Sequence, residues 1–274
     1  MATLPKRIVD RIRSAHKSFA PILVAQRDRD VSEADTVTIV KDLLSDMFGY
    51  DKYAEVTSEH AIRGTYCDLA IKIEGKLRLL IEVKAIGLTL TQRHIKQAVD
   101  YAANQGVDWV VLTNGVRWIM FQIIFGKPID AKEIASFDLL SDDLKKDEGL
   151  ERLFLLTREG FMKGAIAEFA EKQQAMSRYM LAALLVGDGD VVNVIRRELR
   201  RVTDMLVPPE AILRVLRQEV IKREALEGEE ATAAARAIAR ADRSTKAKRQ
   251  DESRRNDEPS AAVESEVAKT TSPE

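Results

Sequence analysis

Apolar positions along the first third of the chain recur at helical spacing and then switch to alternation. Residues 4–19 form a short amphipathic helical pattern. In VSEADTVTIVKDLLSDMFGYD, Ser32 is a suitable N-cap and Glu33 and Asp35 fall in the first turn. Val37, Val40, Leu43, Leu44 and Met47 line one face, and Gly49 ends the pattern. After Asp51 the period becomes two. Residues 53–57 suggest a short strand, while 66–73 (YCDLAIKI) and 77–85 (LRLLIEVKA) alternate around Glu74-Gly75-Lys76, which predicts a β-hairpin. Residues 90–105 return to helix, with Thr89 or Thr91 as cap and Gly106 as stop. Strands follow at 107–113 and 116–125, joined at Asn114-Gly115. The order α-β-β-β-α-β-β predicts an α/β fold around one mixed sheet.

From about residue 139 the pattern is helical throughout, over 141–159, 163–186, 188–206 and 208–226. The punctuation is Gly160, Gly187-Asp188-Gly189 and Pro208-Pro209. Beyond Gly228 the sequence consists mainly of Ala, Arg, Lys, Glu and Ser with few apolar anchors. A helix could extend over 228–235, and disorder is expected over 243–274. The expected division is an α/β domain over 1–130, an all-helical region over 138–227 and a flexible charged tail over 228–274.

The hairpin carries the candidate chemistry. Side chains two apart in a strand share a face. One face holds Leu69, Ile71, Ile73, Leu79, Ile81 and Val83. The other holds Asp68, Ala70, Lys72, Arg78, Leu80, Glu82 and Lys84. A loop centred on Gly75 would set Asp68 opposite Glu82, with side-chain roots ~5 Å apart, and Lys84 one step along. A loop of even length would reverse one strand's parity, so an odd loop is expected. Two facing carboxylates suit Mg²⁺, which usually keeps water and substrate phosphate as its other ligands. An adjacent ammonium can orient a water or stabilise developing negative charge. On residue pattern alone, a weak surface pair is the more common reading of Glu beside Lys in a strand.

Composition narrows the context. The 274 residues carry 43 Lys+Arg against 44 Asp+Glu, a net charge of −1, so no global basic field points to nucleic acid and any such role must come from a local site. The single cysteine, Cys67, excludes an internal disulfide framework and a Cys-based zinc site. No apolar run reaches the ~18 residues of a membrane span, and the N-terminus has no signal-peptide core. A soluble, cytoplasmic protein is expected. The sequence holds no G-x-x-x-x-G-K-[ST] phosphate loop, so no ATP motor of that kind is expected of it.

Asp68 followed by Glu82-Val83-Lys84 on a hairpin resembles the PD-(D/E)xK nuclease signature, with Cys67 in place of the proline that often precedes the Asp. The surrounding residues are similar to the N-terminal nuclease domain of type I restriction enzyme R proteins over about 30–125. SEADT at residues 32–36 resembles that family's acidic helix start. Gln97 and Tyr101 match its QxxxY motif, and the Val110–Ile119 segment its closing hairpin. The resemblance implies a restriction-endonuclease-like αβββαβ core. It implies Asp68 and Glu82 as ligands of Mg²⁺ (or Mn²⁺), the Val83 carbonyl as a further ligand, and Lys84 as the motif lysine. Gln97 and Tyr101 would support the site or contact DNA, and Glu33 would be an accessory carboxylate; a first-turn acid favouring the helix dipole is an equal reading of Glu33.

The expected function is therefore a metal-dependent DNA endonuclease, related to restriction or defence. A separate motor or specificity subunit, and a homodimer, are compatible with it. The alternative is a catalytically idle nuclease-fold module that binds DNA or a partner. Cys67 is expected to be a packed thiol and Trp109 and Trp118 core residues. His16, His60 and His94 lack metal-ligand spacing, although His94 shares a face with Gln97. The run Arg196-Arg197-Glu198-Leu199-Arg200-Arg201 is expected to be a solvated helical face rather than a phosphate-binding surface, and the basic stretch 236–255 a solubilising tail.

Overall fold

The computed structural model describes residues 4–62, 65–142, 144, 146–187 and 189–256. The chain divides into two compact units, Met1–Gln173 and Gln174–Glu274.

The first unit is a three-layer α/β arrangement. Helices α1 (Lys6–Asp28) and α2 (Glu33–Asp46) precede strands β1 (Val56–Ile62), β2 (Thr65–Ile73) and β3 (Lys76–Val83). A 3-10 turn (Gln92–Ile95) and α3 (Lys96–Gln105) cross to β4 (Trp109–Thr113), followed by β5 (Arg117–Ile124) and β6 (Asp130–Asp138). The six strands lie in sequence order. Only the β3–β4 pair, joined through α3, is parallel. The mixed sheet and the αβββαβ order agree with the expectation.

One sheet face carries Leu69, Ile71, Leu79, Ile81, Val111, Trp118 and Phe137, buried against Ile12, Leu23, Val40, Leu43 and Leu153. Trp118 stacks on Phe137 with ring centroids 6.0 Å apart and meets Phe48 edge-on at 5.2 Å. The opposite face carries Ala70, Leu80, Val110, Leu112 and Phe121 under Ala98, Val99, Tyr101 and Ala102 of α3. Trp109 is half-buried rather than fully enclosed.

Register in the β2–β3 hairpin departs from the expectation in an instructive way. The loop is not odd. It is the two residues Glu74-Gly75, both at positive φ (52° and 74°), as the tight hairpin turn requires. Near the turn Ile73 pairs with Lys76 and Lys72 with Leu77. The register then shifts, and Ile71 pairs with Leu79, Ala70 with Leu80 and Leu69 with Ile81. Arg78 is the extra residue of a β-bulge. The bulge undoes the parity change of the even loop, so continuing the register one residue sets Asp68 opposite Glu82 after all.

Strand β6 lies at residues where the pattern predicts no strand. Its outer half (Asp130-Ala-Lys-Glu) is largely exposed, as suits an edge strand, and the buried residues Ile134, Ala135 and Phe137 come late. Helix α1 also continues well beyond residue 19, to Asp28. Where one helix was expected over 141–159, the chain forms α4 (Asp147–Leu156) and α5 (Arg158–Met162). Thr157 breaks the run in an extended conformation, and its Oγ1 caps α5 by accepting from Gly160 N–H at 3.0 Å. Helix α6 (Ala165–Ala175) follows.

The second unit holds α7 (Arg178–Gly187), α8 (Gly189–Thr203), α9 (Pro209–Val215), a π-helical turn (Leu216–Val220) and α10 (Glu229–Asn256). Helix continues to Asn256, through residues expected to be a tail; 257–274 lie outside the described residues. Arg197, Arg200 and Arg201 are exposed on α8, and Arg201 pairs with Glu198 at 2.7 Å, as suits a solvated face. No helix among the described residues is long and apolar enough to cross a membrane.

Candidate active site

The candidate site lies where the β2–β3 ladder ends, at the carboxy-terminal end of β3 and beside its parallel neighbour β4. Beyond the Leu69–Ile81 pair, side chains take over the main-chain bonding. Asp68 Oδ2 accepts from Val83 N–H at 2.7 Å, and Cys67 Sγ–H donates to Ile81 O at 3.2 Å. The first of these bonds fixes the Asp68 carboxylate against the strand that carries Glu82.

Glu82 is 5% exposed. Lys84 Nζ donates to its Oε1 at 2.7 Å, and the Lys84 side chain is itself only 19% exposed. Burial pushes the Glu82 carboxyl above its ordinary range. The Lys84 hydrogen bond pulls it back, and the charges of Asp68 and Glu33 push it further up. Burial also works against the Lys84 ammonium, but the Glu82 hydrogen bond and the charges of Glu82, Glu33 and Asp68 outweigh it and hold its pKa above the usual lysine value. Four ionisable groups on three elements thus sense one another: Glu33 on α2, Asp68 on β2, and Glu82 and Lys84 on and just after β3.

Glu33 lies both at the start of α2 and beside Lys84. It stands in the first turn of α2, whose N-cap Ser32 accepts from Asp35 N–H at 3.2 Å, and its Oε2 lies 3.5 Å from Lys84 Nζ. Tyr101 is on α3 as expected but is 2% exposed and packs in the same cluster as Cys67, Ala70 and Leu80. It does not present a surface to DNA here. Gln97 falls in the first turn of α3, and its side chain lies outside the described residues, as does that of His60.

Cys67 is buried as expected, but under α3 rather than with Leu69. Its thiol is pushed up to about 12 by burial and by the charges of Glu82 and Asp68. It is therefore an unreactive thiol. His94 is a turn cap: its Nδ1 accepts from Thr91 N–H at 3.2 Å. His16 Nε2–H donates to Leu139 O at 2.7 Å and ties α1 to the end of β6.

Among the described residues, no group of three or more His, Cys, Asp or Glu side chains is gathered to hold a metal ion. The donor set nevertheless fits Mg²⁺, which commonly takes one or two carboxylates and fills its octahedron with water and phosphate oxygens. Asp68, Glu82 and the Val83 carbonyl are hard oxygen donors of that kind.

Three residues outside the expected set bond to the segment that begins at Lys84: Thr113 O accepts from Lys84 N–H, Thr36 Oγ1 accepts from Ile86 N–H, and Asn114 Nδ2 donates to Ile86 O and Leu88 O. Asn114-Gly115 signals a turn in the sequence, but nothing in the pattern signals that the Asn114 side chain reaches the loop after Lys84.

The fold and site together define a mixed-sheet α/β domain with an Asp, a Glu and a Lys converging at one strand end. Residues 39–137 match the family described as type I restriction enzyme R protein N terminus. The matched stretch holds Asp68, Glu82, Lys84, Gln97 and Tyr101, and begins after Glu33. No curated protein and no solved structure matches the chain.

Proposed function

We propose that this protein is a metal-dependent endonuclease that hydrolyses DNA phosphodiester bonds in a restriction or defence setting. The observation that carries the reading is the convergence of Asp68, Glu82 and Lys84 at the end of β3, within the stretch that matches the R protein N terminus. Asp68 and Glu82, with the Val83 carbonyl, hold Mg²⁺ or Mn²⁺, and Glu33 stands by as an accessory carboxylate. When bound, the metal polarises a phosphoryl oxygen and makes water more acidic.

The protein's own groups do the rest. Asp68 is fixed by the Val83 N–H and needs little reorganisation to bind. Glu82 is shielded from water, so its charge acts through a medium of low dielectric. Lys84 remains an ammonium against Glu82, so it donates to the attacking water or the phosphate oxygens and does not act as a base. Tyr101 supports the site from behind by packing α3 against the sheet.

Binding is tested by thermal melts with increasing Mg²⁺ or Mn²⁺. The wild-type melting temperature rises with metal and that of Asp68→Ala does not. An equal rise in both proteins would sink the assignment. Metal binding without DNA cleavage would favour the alternative, a DNA-binding or partner-binding module on the same fold.

A further inference from the structure

Lys84 stands one residue past β3, where strand pairing no longer holds it. The segment that follows is nevertheless fastened at successive points. Lys84 N–H donates to Thr113 O at 2.8 Å. Two residues on, Ile86 N–H donates to Thr36 Oγ1 at 3.1 Å. Thr36 is fully buried on α2, one turn beyond Glu33, and its own hydroxyl proton goes to Ser32 O at 2.9 Å. The hydroxyl is therefore oriented with a lone pair toward Ile86. Asn114 completes the set. Its Nδ2 donates to Ile86 O at 3.2 Å and Leu88 O at 3.0 Å, and its Oδ1 accepts from Val116 N–H at 3.1 Å and Arg117 N–H at 2.8 Å. Two donors and two acceptor sites are all used, and these partners leave the amide one orientation.

We propose that Thr36 and Asn114 are positioning residues for Lys84. They clamp residues 84–88 between α2 and the β4–β5 turn, so that the Lys84 ammonium is aimed at Glu82 and Glu33 rather than at solvent. The inference rests on the nuclease reading for its functional consequence, but not for its geometry. Thr36 is the sharper handle. Valine keeps its shape and removes the acceptor, leaving the Ile86 N–H buried without it. Serine keeps the hydroxyl.

The test measures the rate at which an amine-acylating reagent modifies Lys84 in the full chain, read by peptide mass spectrometry against exposed Lys172. Lys84 reacts several-fold faster in Thr36→Val and returns to the wild-type rate in Thr36→Ser. An unchanged rate in Thr36→Val overturns the proposal. Should Thr36→Val fail to fold, amide hydrogen exchange of the wild type decides. Ile86 N–H is then as protected as the amides of β3, and exchange as fast as at Gly87 overturns the proposal. In DNA cleavage, Thr36→Val loses about tenfold in kcat with KM unchanged, and Thr36→Ser recovers it. If the wild type cleaves no DNA, the nuclease reading fails, while the acylation and exchange results still decide the positioning role.

Discussion

Lys84 donates to Glu82 Oε1 at 2.7 Å, and only 7% of the Glu82 side chain is exposed. A buried carboxylate with one cation as its near partner is sensitive to loss of that cation. Lys84→Met should therefore destabilise the protein by about 1–3 kcal/mol at neutral pH. The sign of the pH dependence follows from Glu82. Its folded-state pKa already lies above the ordinary 4.5, and losing Lys84 raises it further. A carboxyl raised on folding stabilises the fold while protonated, and that contribution is lost as pH rises through its folded pKa. The gap between wild type and Lys84→Met thus widens as pH is raised from about 4.5 toward neutrality. Urea titrations at a series of pH values measure it, and a gap independent of pH would contradict the burial argument.

Glu159 predicts the opposite slope. Arg11 grips both its oxygens at 2.7 Å, and the Arg11 hydrogen bond holds the Glu159 carboxyl below the usual 4.5. Arg11 also donates to Met47 O at 3.1 Å and Phe48 O at 3.4 Å, so the pair ties α1 to the end of α2 and to α5. Stability from a depressed carboxyl is present above its unfolded pKa and lost as pH falls through the folded one. Glu159→Gln should lower stability at neutral pH and flatten the acid loss below about 4.5. Thermal melts of both proteins between neutral and acid pH check this.

The bulge at Arg78 predicts that a deletion and an insertion at one place have opposite outcomes. Deleting Arg78 leaves the Glu74-Gly75 turn intact and removes only the unpaired residue, so Lys72 still meets Leu77, Ile71 meets Leu79 and Leu69 meets Ile81 in an unbroken ladder. Inserting one alanine after Arg78 instead moves Leu79, Ile81 and Val83 to the face now held by Leu80 and Glu82. The deletion should keep cooperative unfolding in circular dichroism and the insertion should lose it, whereas Arg78→Ala, on an exposed side chain, stays within about 0.5 kcal/mol of wild type. An unfolded deletion protein together with a folded insertion protein would mean that Arg78 is not the extra residue.

These cases show which parts of the structure were legible in the sequence. Alternation around Glu74-Gly75 was enough to put Asp68, Glu82 and Lys84 on one side of a hairpin, because burial of Leu69, Ile71, Leu79 and Ile81 fixes parity whatever the turn does. The pattern could not show that the turn has two residues and that Arg78 absorbs the mismatch, since an exposed arginine reads the same in a strand and in a bulge. Strand β6 escaped because its alternation is confined to its last residues. The break at Thr157 was carried by a capping side chain inside an otherwise helical run. Thr36 and Asn114 read locally as a helix residue and a turn residue. Their contacts span 50 and 26–28 residues, distances over which periodicity carries no information.

The central claim is best tested by incubating purified protein with supercoiled plasmid DNA, with and without Mg²⁺, and following nicked and linear forms over time. Wild type should cleave only with metal. Asp68→Asn and Lys84→Ala, each confirmed as folded by its melting curve, should lose at least about 100-fold in rate. Cleavage by these variants at the wild-type rate, or by wild type with metal chelated away, would contradict the assignment of Asp68, Glu82 and Lys84 as the hydrolytic site.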